Sequence, residues 1–300
     1  TSLLDLSNYL NKYYGEKVQG LLNWQAIREL KFSPMTRDGA GGSAVDWDKV
    51  AVMYNGMAEL EKHSAQILAD ALPITDEDSV LDVGCGPGRL SVPMARRAKS
   101  LTALDAFGEM LKFCKQNAKN ADVKNIKFMQ KSWLDSDVLD VIGKHDVVVA
   151  SRSVGLGDIK KLSDAAKKYV CITSFLEDHP SLREIWMDLL AGIDERASKR
   201  PPFINENPRM FGYNVTFNML YDLGANVNVR IFDTIYEKSF TSKDEAYEFL
   251  KFVGEIPKEK EKIYRKNVDK WLVKDKNGVK FYRTTKSYAM WYDVSEVKFE

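Results

Sequence analysis

The sequence predicts an α/β fold: a doubly wound, mostly parallel sheet with a helical segment ahead of it and insertions behind. Three observations carry that expectation. From Ser79 onward, short runs rich in Val, Ile and Leu alternate with amphipathic stretches, the pattern of parallel strands covered by helices on both faces. The residues before about 75 place apolar side chains at helical spacing. After about Ser174 the alternation loses its regularity, which points to segments inserted into the fold. Right-handed crossovers in such a sheet leave the ligand at the carboxyl edge of the strands.

The elements follow in order. Leu3, Leu4, Leu6, Tyr9 and Leu10 recur near helical spacing, and Val18, Leu21, Leu22, Trp24, Ile27 and Leu30 do so again. A Pro- and Gly-bearing loop from Ser33 to Ala44 interrupts them. Asp46 then caps a helix expected to run through Val50, Met53, Tyr54, Met57, Leu60, Ile67 and Leu68 to about Leu72. Strands are expected at Val80–Val83, Leu101–Leu104, Ile126–Met129, Val147–Ala150 and Tyr169–Thr173, with helices to about Ala98 and over Met110–Ala118. Pro93 falls early in the first of these helices, where it deletes a backbone bond and predicts a local distortion. Farther on come a helix over Leu182–Ser198, a loop over Pro201–Pro208, a helix to about Leu223 and a strand over Val227–Tyr236. Helical segments over Ser242–Val253 and Ile256–Trp271, a hairpin through Asn277-Gly278 and a strand near Ser287–Val294 close the chain.

Composition excludes several classes. With 300 residues, 44% hydrophobic and 29% charged, the chain has ample apolar material for a core. A net charge of +1 gives no global attraction to nucleic acid or anionic membrane, so such a partner needs a local patch. Cys85, Cys114 and Cys171 are odd in number and far apart, which argues against a disulfide framework or a clustered-cysteine metal site and for reduced thiols in the cytoplasm. There is no apolar run of the roughly 18 residues a membrane span needs. Residues 1–15 lack the basic and apolar regions of a signal peptide.

The chemistry concentrates in residues 79–90, SVLDVGCGPGRL. A buried strand ends in Asp82 and is followed by Gly84, Gly86 and Gly88, then by a helix. Glycines at such a turn admit positive φ and let a ligand approach without a Cβ in the way. The helix start adds unpaired amide donors. The spacing differs from the dinucleotide fingerprint G-x-G-x-x-G, because Arg89 stands where its third glycine belongs. Asp82 would also repel a pyrophosphate, whereas a ligand with an amino group and a sulfonium tolerates it. A nicotinamide dehydrogenase is therefore disfavoured.

The run from Asp82 to Gly88 resembles the nucleotide-binding motif of the class I S-adenosylmethionine-dependent methyltransferases. The likeness covers residues 79 to about 175, and implies the family's seven-stranded sheet, with sixth and seventh strands in the later segments. It further implies S-adenosyl-L-methionine as cofactor, with Asp82, Gly84, Cys85, Gly86 and Gly88 shaping the methionine end. LTALDAFGEML (101–111) is similar to the family's second strand, so Asp105 would accept from both ribose hydroxyls, with Ala106, Phe107 and Met110 flanking adenine. The third motif departs from the family: Lys131, Ser132 and Trp133 stand where Gly-Asp is common. Ser132 can still hydrogen-bond, and Trp133 is read either as a purine neighbour or as a core aromatic. Ser151 ends the fourth strand, where backbone carbonyls lie near the ligand's amino group, and Arg152 after it is read either as a site residue or as a local salt-bridge partner.

The acceptor is less defined. In-line methyl displacement asks chiefly for proximity and a dry cavity, and a hydroxyl acceptor adds a general base. His145 lies at the wrong edge of the sheet and His63 on a polar helix face. His179 follows the fifth strand at the right edge and is the base candidate, with Tyr54 as a second weak catalytic candidate. Residues 1–75 are expected to form a helical lid or acceptor segment, with Trp47 and Tyr54 on one face, and 76–300 the cofactor-binding domain with insertions at about 178–225 and 240–284. Phe203, Phe211 and Tyr213 in the first insertion suit a small aromatic-lined cavity and a small-molecule acceptor. The rival is RNA or protein. Residues 255–286 carry eleven Lys or Arg against five Asp or Glu, interleaved with Tyr264, Trp271, Phe281 and Tyr282. A charged helix face explains the same run, and the Asn/Asp-Pro-Pro-aromatic motif of exocyclic amine methylation is absent after the fourth strand. A cofactor-binding module without turnover is the third reading. No metal site and no membrane partner are expected.

Overall fold

The computed structural model describes residues 22–29, 46–176, 182–195 and 212–299. Two helices, α1 (Trp47–Leu60) and α2 (Lys62–Ala71), lead into β1 (Ser79–Val83), α3 (Ser91–Ala95), β2 (Ser100–Asp105) and α4 (Gly108–Asn120). Next come β3 (Ile126–Gln130), α5 (Val138–Ile142), β4 (His145–Ser151), α6 (Ile159–Ala165) and β5 (Ala166–Phe175). The later part holds α7 (Leu182–Leu189), α8 (Tyr213–Asp222), β6 (Asn228–Phe240), α9 (Lys243–Leu250), α10 (Glu261–Asp269), β7 (Leu272–Asp275) and β8 (Gly278–Asp293).

One sheet takes the order β3-β2-β1-β4-β5-β8-β6, with β7 pairing to β8 off that path. The first five strands are parallel; β8 runs antiparallel to β5, β6 and β7. β1 lies centrally, and Val80, Leu81 and Val83 lose all exposure, as a parallel strand covered on both faces requires. The chain reverses its winding direction between β1 and β4. Their carboxyl ends, Val83 and Ser151, therefore open onto the crevice where an open α/β sheet binds its ligand.

Three apolar cores result. One face of the sheet packs α6, α8 and Trp24 through Leu81, Val83, Leu162 and Leu220. The opposite face packs α2, α3 and α4 through Leu68, Met94 and Cys114. The third core belongs to a cap beyond the sheet's carboxyl edge, where α1, α7, α9, α10 and the far ends of β6 and β8 enclose Tyr236, Tyr264, Trp271 and Phe281.

Several expectations need correction. The sheet has eight strands, not seven, because the hairpin at Asn277-Gly278 adds β7. The helix expected from Asp46 to Leu72 breaks at Glu61, although Asp46 caps its start by accepting from the Lys49 amide. The helix after the glycine turn spans only Ser91–Ala95 around Pro93, and the helix from Leu182 ends at Leu189. The short helices α5 and α6 fall in amphipathic stretches between strands for which the sequence sets no helix bounds.

Candidate functional site

The glycine turn is built as its composition requires. Gly84, Gly86 and Gly88 have φ of 68°, 55° and 83°, all in the left-handed region. The two outer glycines are needed for packing: a Cβ on Gly84 would lie 2.6 Å from the Ser153 Cβ, and one on Gly88 would lie 2.6 Å from the Cys114 Sγ. Gly86 is different. A Cβ there meets nothing within 4 Å, so its bare backbone borders open space at the carboxyl edge of β1. That is the cradle a ligand approaching the backbone would fill.

Asp105, at the end of β2, holds the turn in place. Its Oδ2 accepts from the Gly86 amide at 2.8 Å and its Oδ1 from the Phe107 amide at 3.0 Å. Each oxygen keeps a further lone pair, enough for a vicinal diol. Burial raises the Asp105 pKa. Asp82 is 2% exposed and accepts a 2.6 Å bond from the Ser91 hydroxyl; burial pushes its pKa up to about 6. Ala106 is half-buried, with its carbonyl accepting a 3.4 Å bond from Gln130, and Met110 is buried. Cys85 is buried beside Cys114, and that thiol together with burial pushes its pKa up, so it is no nucleophile.

Helix α1 lies across this turn. Asn117 of α4 donates both to Asn55 of α1 at 2.7 Å and to the Pro87 carbonyl at 2.9 Å. Asp48 accepts from the Glu109 amide at 2.9 Å, capping the first turn of α4 from outside. The Trp47 ring then sits 5.1 Å from Tyr54 and 6.5 Å from Phe107, which brings an aromatic pair to the side of the crevice next to Asp105.

Of the third motif, Ser132 is half-buried and accepts from the Leu134 amide at 3.1 Å, closing a local turn. Trp133 is buried in the sheet core with Leu104 and Val138, and Lys161 lies 5.1 Å over its ring. The ring is thus a core aromatic and offers no face to a purine, a correction to the stacking expectation. Tyr54 is 38% exposed, and burial of its hydroxyl end raises its pKa, which disfavours it as a base at neutral pH. His145 is buried at the amino edge of β4, 3.0 Å from Thr102, as a structural histidine. His179, Phe203 and Phe211 lie outside the described residues; Tyr213 packs against Tyr288 at 5.5 Å in the sheet core.

A buried ionic cluster lies beside the turn. Glu61, at the break between α1 and α2, is 1% exposed and pairs with Arg152 at 2.8 Å and with Arg89 at 3.4 Å. Arg89 also donates to Ser151 at 2.7 Å, and Thr173 donates to the same hydroxyl at 2.7 Å. Arg152 stacks on Phe175 at 3.6 Å and has φ of 50°. Its partner is therefore 91 positions away and not local. The available sequence signal was weak: Glu61 shares the helical stripe of Met57, Ser64 and Leu68, where a carboxylate is out of place.

Comparisons with known proteins agree with this geometry. Residues 74–191 match the family described as "Methyltransferase domain". An uncharacterized protein of Haemophilus influenzae is 33% identical over 214 residues, 69% of this chain and 72% of that protein. A probable cobalt-precorrin-6B C(15)-methyltransferase (decarboxylating) of Methanobrevibacter smithii is 27% identical over 154 residues, 51% of this chain and 75% of that protein. A 23S rRNA (uracil(1939)-C(5))-methyltransferase of Haemophilus influenzae is 39% identical, but only over 61 residues, 20% of this chain and 14% of that enzyme.

Proposed function

We propose that this chain, a member of the class I S-adenosylmethionine-dependent methyltransferases, methylates a small-molecule acceptor held between the glycine turn and the cap. S-adenosyl-L-methionine is the cofactor and supplies an electrophilic methyl group on a sulfonium. In this reading Gly86 gives the cofactor its bare backbone, Asp105 takes the ribose hydroxyls, and Asp82 supplies negative charge near the cationic end. Helix α1, with Trp47 and Tyr54, covers the crevice and keeps water from the reacting atoms.

One observation favours a small acceptor over nucleic acid: the aromatics of the basic segment are spent inside the cap. Tyr264, Trp271 and Phe281 are buried in its core, leaving Tyr282 as the exposed ring. Three of the eleven cations of the same segment are ion-paired among the described residues, Arg265 with Asp244 and Glu261, Lys280 with Glu237, and Lys286 with Asp233. A surface built this way offers few stacking faces for nucleic-acid bases. The precorrin enzyme among the relatives also acts on a small molecule by its name, and aligns over more of its length than the ribosomal RNA enzyme does. Among the described residues no helix is long and apolar enough to cross a membrane, and the three cysteines are free and buried, in keeping with a cytoplasmic site of action.

The test is methyl transfer from radiolabelled S-adenosylmethionine into a lysate fractionated into small molecules, RNA and protein. The expected result is label in the small-molecule pool; label removed by ribonuclease or protease would overturn this reading.

A further inference from the structure

We propose that Arg152 and Arg89 form the receptor for a carboxylate carried by the methyl acceptor, an inference that rests on the small-molecule reading above. The cluster holds two guanidiniums against one carboxylate, that of Glu61. Asp82 lends charge to Arg89 from a distance but bonds to Ser91. Two buried polar atoms of the cluster make no ordinary hydrogen bond. The Glu61 Oε2 is buried and makes no hydrogen bond, with Arg89 3.4 Å away. The Tyr236 hydroxyl, on a side chain with no exposure, sits beside Arg152 and lacks a hydrogen bond of ordinary geometry. The Glu61 oxygen is an acceptor held by charge alone, but the Tyr236 hydroxyl is a buried donor, and with two cations against one carboxylate it points to a missing anionic acceptor.

The backbone agrees. Arg152 and Asp122 are the non-glycine residues with positive φ among those described, at 50° and 52°. Asp122 follows the end of α4, whereas Arg152 directly follows β4 at the ligand edge of the sheet. Strain held at such a place aims a side chain that unstrained backbone would turn away. The Phe175 ring covers one face of the Arg152 guanidinium; along the donor edge Nη1 bonds Glu61 at 2.8 Å and Nη2 reaches Ser287 at 3.4 Å, which leaves the remaining N–H groups for a planar partner. An edge-on guanidinium matches a carboxylate through two parallel hydrogen bonds. One excess positive charge suits a monoanion better than a dianionic phosphate, which Glu61 would repel. Access exists: Arg89 and Arg152 retain 13% and 16% of their side-chain exposure, and the partly exposed Tyr54 lies near enough to feel the Arg152 charge.

The test uses the full chain. A deproteinised small-molecule extract is divided on a quaternary-ammonium resin at pH 7. Labelled methyl transfer is then measured into the retained and unretained pools, before and after carbodiimide amidation of carboxyl groups. The proposal expects the acceptor in the retained pool and its loss on amidation. With the isolated acceptor, Arg152→Gln should raise KM by about tenfold or more, the loss of one charged hydrogen bond, while the calorimetric Kd for S-adenosylmethionine stays within about twofold. Arg152→Lys should recover part of that loss. Should Arg152→Gln fail to fold, Tyr236→Phe removes only a hydroxyl and should still raise KM by about threefold or more. An unretained or amidation-resistant acceptor overturns the proposal. So does a variant that weakens cofactor binding and spares acceptor KM, since the carboxylate bound would then be the cofactor's own. Label confined to RNA or protein overturns the small-molecule reading itself, and the proposal with it.

Discussion

At the scale of single residues, the three glycines of one turn have different jobs, and substitution separates them. Gly86→Ala meets open space and bears only the left-handed backbone penalty, about 1–2 kcal/mol. We expect it to fold with a modest drop in Tm and to lose cofactor affinity, because the new methyl group stands where the ligand approaches. Gly88→Ala adds a methyl group 2.6 Å from the Cys114 Sγ to the same penalty, for a loss of about 2–5 kcal/mol. Thermal melts and calorimetry on the pair check this; equal destabilisation with equal binding would refute the division. Asp82 makes a second prediction, in pH. Its folded pKa of about 6 stands above that of an unfolded aspartate near 4, so its contribution to stability is full below about pH 4 and is lost as pH rises through 6. For the ligand-free protein that loss is about 2–3 kcal/mol, and Asp82→Asn should abolish it. A cationic ligand favours the carboxylate, so S-adenosylmethionine should bind more tightly as pH rises from 5 to 7 in the wild type, and show a flatter profile in Asp82→Asn. Asp82 and the glycines were legible because their chemistry is written in adjacent letters, and Asp105 because it ends the next strand. Trp133 was ambiguous, since an aromatic after a strand reads the same whether it faces a purine or a core. Arg89, Glu61 and Arg152 were illegible together, because only the fold brings their three distant segments to one point.

At the scale of elements, periodicity located most strands and misjudged helix ends. The apolar stripe of α1 continues into α2 without a gap in the sequence, yet the axis breaks at Glu61. Two buried arginines draw that carboxylate inward and outweigh the few tenths of a kcal/mol per residue by which propensity would keep the helix running. The break lets α2 pack on the sheet through Leu68 while α1 packs on the cap through Met57 and Leu60. The short α3 has a similarly local cause, Pro93, which sequence does reveal. Gly56 shows packing overruling propensity again. Alanine there would favour an isolated helix by about 1 kcal/mol, but its Cβ would run into the Phe252 ring at the cap. Gly56→Ala should therefore destabilise the protein by about 1–3 kcal/mol; an unchanged or raised Tm would show that α1 is free to shift away from the cap.

At the scale of the whole molecule, the question is whether the cap is an independent unit or a continuation of the sheet. The insertions looked separable in the sequence because their pattern departs from strand–helix alternation. The structure threads one strand through both cores: β8 places Phe281 in the cap and Tyr288, Met290 and Tyr292 in the sheet, while β6 pairs with it from Asn228 to Phe240. Ser64 of α2 also accepts from the Ile235 amide at 2.7 Å, tying the helical segment to the same hairpin. Unfolding the cap alone would strip a buried tyrosine and phenylalanine from a continuous ladder, so sheet and cap should melt together. Cofactor binding at the glycine turn then stabilises both. At 100 times Kd the gain is about 2.7 kcal/mol, or roughly 4 °C for a chain of 300 residues, and NAD should give none. Trp271 reports on the cap core and Trp133 on the sheet core, so variants keeping one tryptophan each can follow the two regions separately. Coincident transitions that S-adenosylmethionine moves by the same amount are the expected result. Two transitions, with only that of Trp133 shifting, would make the cap a separate unit.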